Sequence, residues 1–158
     1  MRTGFLAFCL SLIAFPSFAE TPKLEDFPIW SDRFARCAAL YTALGDDMER
    51  KAAPDNAEDM AKVRAYRNLG KEAGFAAGTY ARKSMVGISP GMVEEVFQEN
   101  LKYFNAEVNA GDEAAAANIK SAGGECKKLL PIQQAITQAS RQNAKKRIAV
   151  IKDGRLLP

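Results

Sequence analysis

The sequence predicts an all-α, up-down four-helix bundle with one disulfide and a kinked last helix. Three observations carry that prediction. Apolar residues recur at steps of three and four in four separate stretches, and short breaks rich in Gly, Pro, Asp and Asn part them. Two cysteines fall on the apolar stripes of the first and last stretch. An amphipathic helix can bury its stripe only against other elements, and short connections place successive helices antiparallel.

The chain opens with Arg2 and an uncharged apolar run from Gly4 to Phe15; Pro16 breaks it, and Ser17-Phe18-Ala19 offers a small-x-small cleavage site before Glu20. This is the layout of a bacterial secretory signal peptide over residues 1–19, with a retained N-terminal anchor as the competing reading. Phe8 stands where a lipoprotein signal needs a small residue, so Cys9 leaves with the leader. The expectation is a periplasmic or secreted protein cleaved between Ala19 and Glu20. A helical domain then spans 20–146 and a basic tail 147–158.

Glu20 to Pro28 carries two prolines and reads as an extended lead-in. The first helix runs from about Ile29 to Met48. Its seam is Trp30, Phe34, Cys37, Tyr41, Leu44 and Met48, and Gly45-Asp46-Asp47 threatens to end it a turn early. Ala53-Pro54 closes that region, and Asp55-Asn56-Ala57-Glu58 reads as a capping box opening the second helix. That helix extends to about Ser84, with Met60, Val63, Tyr66, Leu69, Ala73, Ala76 and Tyr80 facing the core. Ser89 then caps a third helix with Pro90 in its first turn, and Val93, Phe97, Leu101, Phe104 and Val108 form its stripe. Asn109-Ala110-Gly111-Asp112 is the next break, with Asp112 as cap. The fourth helix begins in the alanines of 114–117 and passes Ile119, Ala122, Cys126 and Leu129. Gly123-Gly124 weakens it, Pro131 kinks or restarts it, and Leu129, Ile132, Ile136 and Ala139 resume the face beyond. Residues 147–158 fit no helix and read as a tail, partly extended over Ile148 to Ile151.

In an exported chain Cys37 and Cys126 read as one disulfide, since an oxidising compartment leaves a single way to pair them. It would join the first and last helices near their middles. Closing a loop of about 90 residues adds roughly 4–5 kcal/mol in the chain-entropy account. Free thiols or a metal pair are the alternatives, but the chain has no histidine to complete a zinc site.

The same absence removes Ser-His and Cys-His nucleophile pairs, the commonest general base and the usual haem ligands. Glu95 and Glu99 lie one turn apart, yet a di-iron bundle also requires Glu-x-x-His. Asp46, Asp47 and Glu49 lack the pattern of a calcium loop. Both acidic groups read as solvated faces. No Walker or dinucleotide glycine loop occurs, so neither catalysis, a metal nor a cofactor is expected.

The most unusual local feature is Gly70, Gly74 and Gly78 at steps of four inside the second helix. Each costs about 1 kcal/mol against alanine, so close approach by another helix should offset it. That helix can belong to the bundle, with Trp30 as another filler of the groove, or to a partner. Arg64, Arg67 and Lys71 add a basic stripe that is either a solvated face or a site for an acidic partner. Glu58 and Lys62 pair at i,i+4 on the same helix. The reading that follows is an interaction protein, an accessory or adaptor subunit with a protein partner or a second copy docked on these six residues. The alternative is a small-ligand carrier whose cavity is lined by Trp30, Tyr41, Tyr66, Tyr80, Phe97 and Phe104.

Net charge is +3 and concentrates at the end, where Arg141, Lys145, Lys146, Arg147, Lys152 and Arg155 face only Asp153. That asymmetry is not a nucleic-acid signature, and export argues against such a partner. Membrane contact is expected to be at most peripheral, through the tail.

Overall fold

The computed structural model describes residues 26–84 and 87–152. The predicted leader, its cleavage site and residues 153–158 of the tail lie outside them. Every element among the described residues is an α-helix: α1 Phe27–Lys51, α2 Ala57–Lys83, α3 Pro90–Ala110 and α4 Glu113–Lys152.

Each boundary has a local cause. In α2, Asn56 is the cap, its Oδ1 accepting from the Glu58 and Asp59 amides at 3.0 and 3.2 Å, one residue later than a box begun at Asp55 would have it. Ser89 Oγ accepts from Met92 N at 3.2 Å at the start of α3, and Gly111, at φ 62°, ends it in the left-handed region. Asp112 Oδ1 accepts from Ala115 N at 2.8 Å and starts α4.

Three expectations are corrected or narrowed. First, α1 does not stop at Gly45-Asp46-Asp47 but continues to Lys51. Asp47 holds Arg50 and Lys51 of the following turn at 3.2 and 2.6 Å, and Gly45 is buried where α2 approaches. A Cβ at Gly45 would lie 3.4 Å from Tyr66 Cβ, so the glycine serves the contact rather than ending the helix. Second, of the two outcomes expected at Pro131, a kink or a restart, the restart does not occur: α4 is one helix through Gly123-Gly124, with Pro131 inside it. Pro131 and Lys127 are both exposed, so the carbonyl that loses its amide partner lies where water can reach it. Third, residues 147–152, read as a partly extended tail, are the last turns of α4. Its 40 residues reach about 60 Å at the α-helical rise.

The packing centres on α1. It lies most extensively on α2 and next on α3, while α2 and α3 touch each other least. The single predicted seam is therefore too narrow. Between Phe34 and Ala43 only Arg36 and Thr42 escape burial, because Ala35, Ala38, Ala39 and Ala43 let neighbours approach on further sides. A helix buried nearly all round is the middle of a core, not its wall.

The α1–α2 pairing is antiparallel: Ser31 meets Ala77, Thr42 meets Gly70, and Gly45 meets Tyr66. Ser31 is buried, and its Oγ donates to the Ala77 carbonyl at 3.0 Å, so the polar group is satisfied within the seam. At the same end Phe34, Trp30 and Phe27 gather on Tyr80, with ring centroids 5.6, 6.1 and 5.1 Å from it. The disulfide Cys37–Cys126 is formed, spans 89 residues and brings the two Cα atoms to 5.5 Å.

Candidate functional site

Two faces carry chemistry. The first is the outer side of α2. Arg64, Arg67, Lys71, Phe75, Gly78 and Arg82 succeed one another at steps of three and four, a stripe of about 27 Å at 1.5 Å per residue. All but the half-buried Gly78 are exposed, and Phe75 keeps 40 % of its surface in water. Arg67 is held by Glu49 and Asp46 of α1, which is where part of the acidic cluster expected to be solvated goes. Arg82 donates to Thr79 Oγ1 at 3.4 Å, and Glu72 is turned aside to Arg141 at 3.3 Å. Among the described residues, Arg64 and Lys71 meet no carboxylate.

The three glycines part company. Gly70 is buried, and a Cβ there would lie 3.1 Å from Thr42 Oγ1 and 3.4 Å from the Ala38 carbonyl. It is committed to α1. Gly74 is exposed and borders the seam, its added Cβ reaching only Ala38 Cβ at 3.9 Å. Gly78 meets only the side chain of Arg82, at 3.4 Å. Trp30 does not fill their groove; it stacks on Tyr80. Phe75 and Arg82 belong to the stripe and were not selected from the sequence, although continuing the spacing from Lys71 reaches both.

At the start of α2, Lys62 lies 2.7 Å from Glu58; its hydrogen bond and charge lower the carboxyl pKa while the lysine is raised in return. This is the i,i+4 pair expected there.

The second face is a cleft of about 320 Å³ where α1, α3 and α4 meet over the disulfide. Its apolar lining is the disulfide with Ala122 and Leu129, and its polar lining includes Arg33, Arg36, Tyr103, Ser121 and Glu125. Arg33 stacks over Trp30 at 5.1 Å and faces Glu125 at 3.6 Å. Lys128, at 2.6 Å, is the main reason the Glu125 carboxyl titrates below its ordinary range, and Arg33 adds to it. A smaller cleft of about 280 Å³ between α1 and α3 is lined mainly by apolar side chains, among them Pro28, Ala35, Met92 and Val96.

Neither cleft is lined by the six aromatics considered as a carrier's cavity. Trp30 and Tyr80 stack together, Tyr41 lies against Tyr66 at 6.4 Å, Phe104 is fully buried and Phe97 packs on the core. Burial raises the phenol pKa of Tyr41, with Tyr66 adding to it, and burial alone raises that of Tyr80.

Glu95 and Glu99 are exposed on α3. Among the described residues no three His, Cys, Asp or Glu side chains are grouped to hold a metal, and no helix is long and apolar enough to cross a membrane. No family model, curated protein or solved structure matches the chain.

Proposed function

We propose that the protein is an exported adaptor that acts by binding, taking an acidic helical segment of a partner protein along the outer face of α2. One observation carries this reading. Phe75 is an exposed aromatic one turn beyond Lys71, on a stripe that begins at Arg64, and no carboxylate of the described residues satisfies either cation. Such a ring is a natural anchor, since aromatic side chains concentrate binding energy and the surrounding polar rim sets register and orientation. Gly74 and Gly78 leave low ground beside the ring, so a partner helix can approach the α2 backbone closely. Gly70 contributes only indirectly, by seating α2 on α1.

Export rests on the predicted leader and agrees with a disulfide in the core, because such bonds persist in oxidising compartments. The test has two parts. The purified periplasmic protein should begin at Glu20 by mass spectrometry. Used as bait on its own envelope fraction, it should retain a partner that Phe75→Glu and the pair Arg64→Glu, Lys71→Glu release, with helicity and melting unchanged. Gly74→Leu should weaken the same capture. If the protein stays monomeric and captures nothing that these variants release, the adaptor reading falls. A partner retained equally by wild type and variants would place the contact elsewhere and also end it.

A further inference from the structure

We propose that the cleft over the disulfide is a second binding site, built for a small organic monocarboxylate with an apolar body. Charge accounting leads there. Arg33 is balanced by Glu125, and Glu125 is shared with Lys128. Glu107, the nearby carboxylate of α3, accepts from Asn118 Nδ2 at 2.9 Å. Arg36 is different: among the described residues it meets no carboxylate, and its guanidinium lies over the Phe104 ring at 5.8 Å. Phe104 is fully buried, so the plate beneath Arg36 is fixed. A ring is no conventional hydrogen-bond acceptor, so this contact leaves the guanidinium's N–H donors available to a carboxylate.

A guanidinium held in this way suits the two oxygens of a carboxylate, which it can grip through two parallel hydrogen bonds. Ser121 and Tyr103 line the same cleft, and among the described residues their hydroxyls make no protein hydrogen bond, which leaves them available to a ligand oxygen. The disulfide, Ala122 and Leu129, which also line the cleft, offer nothing to a charge and would receive the apolar body. With one unbalanced cation on the wall, a monoanion matches better than a phosphate dianion. At about 320 Å³ the cleft sits at the lower end of ligand pockets, enough for a compound about the size of benzoate. The site lies on α1, α3 and α4, away from the outer stripe of α2, so it stands or falls independently of the adaptor reading.

Benzoate and its neutral isostere benzamide are the probes, titrated into the oxidised, exported protein and followed by amide chemical shifts and by melting temperature. Benzoate should saturate, shift resonances of Arg36 and Ser121, and raise the melting temperature. Benzamide should bind at least about tenfold more weakly, and Arg36→Gln should weaken benzoate by about 10- to 100-fold, the range for losing a charge-assisted hydrogen bond. Ser121→Trp should block the cleft without altering helicity, whereas Arg64→Gln on α2 should leave benzoate affinity unchanged. No saturation by about 10 mM, a concentration matching only very weak binding, overturns the proposal. So do equal affinities for benzoate and benzamide, binding retained in both Arg36→Gln and Ser121→Trp, or an equal loss in Arg64→Gln, which would reduce the effect to diffuse surface charge.

Discussion

Helix α1 meets α2 and α4 in two different ways. Against α2 it lies along its whole length, with Ala38, Gly45, Gly70, Ala73 and Ala77 bringing the backbones close and Ser31 tying the seam at one end. Against α4 it makes far less contact, concentrated around one covalent bond and the Arg33–Glu125 pair. One interface spreads its stability over many small contacts; the other depends on a single bond. The second is therefore the one that chemistry can open, and the cleft lies on it.

Removing the bond should give the largest effect. For a separation of 89 residues the chain-entropy account assigns about 4–5 kcal/mol. Cys37→Ser with Cys126→Ser should lower stability by up to that amount in urea denaturation. Hydrogen exchange should then show α4 amides losing protection first while those of α1 and α2 keep it. Uniform loss of protection across all four helices would break the comparison.

The next contrast sets a side chain of the seam against one of the α4 contact. Phe34 is fully buried between Trp30 and Tyr80, so Phe34→Ala should cost about 3–5 kcal/mol. Leu129 is also buried, but it borders a cleft already open to water, so Leu129→Ala enlarges that cleft more than it creates a closed void. Its cost should fall near the low end for such changes, about 2 kcal/mol. Equal losses in denaturant unfolding would mean the α1–α4 contact is as closely packed as the seam.

The glycines sharpen the comparison within one helix. Gly70→Ala must push against Thr42 Oγ1 and the Ala38 carbonyl, and should destabilise by about 1–3 kcal/mol despite alanine's better helix propensity. Gly74→Ala meets only Ala38 Cβ at ordinary contact distance and should stabilise by up to about 1 kcal/mol. Opposite signs one turn apart, read from midpoints in urea, would establish how far the close approach extends; a shared sign would erase it.

These contrasts bear on what the sequence could reveal. The four helices, the caps at Ser89 and Asp112, the Glu58–Lys62 pair and the cysteine pairing were legible, because each depends on residues near in sequence or on elimination. The central position of α1 was not. Its alanines weigh little in a hydrophobic period, yet their smallness is what admits neighbours on several sides. The continuity of α4 was hidden for the converse reason: Gly123-Gly124 and Pro131 are strong local signals, and the flanking helix formers and hydration of the freed carbonyl override them. On α2 the cations Arg64, Arg67 and Lys71 were visible, while the exposure of Phe75 needed the packing of α2 on α1. The cleft needed most, since Arg33, Arg36, Tyr103 and Ser121 are brought together only by three helices crossing.

The smallest effect concerns pH and falls on the seam. Burial holds the Tyr41 phenol above its ordinary value of 10.0, with Tyr66 adding to the shift, and burial does the same for Tyr80. A phenol whose folded pKa is raised contributes stability that is complete below about pH 10 and declines as pH rises toward its folded value, since the unfolded chain ionises first. Tyr41→Phe should therefore change little at pH 7 but should retain more stability than the parent above pH 10, measured as the difference in urea midpoint at each pH. Comparing variant with parent cancels the lysines that titrate in the same range. Leu129→Ala, at the α4 contact, removes no phenol and should show no such gain. If both variants shift alike, alkaline loss comes from general charge repulsion, and buried phenols do not distinguish the two interfaces.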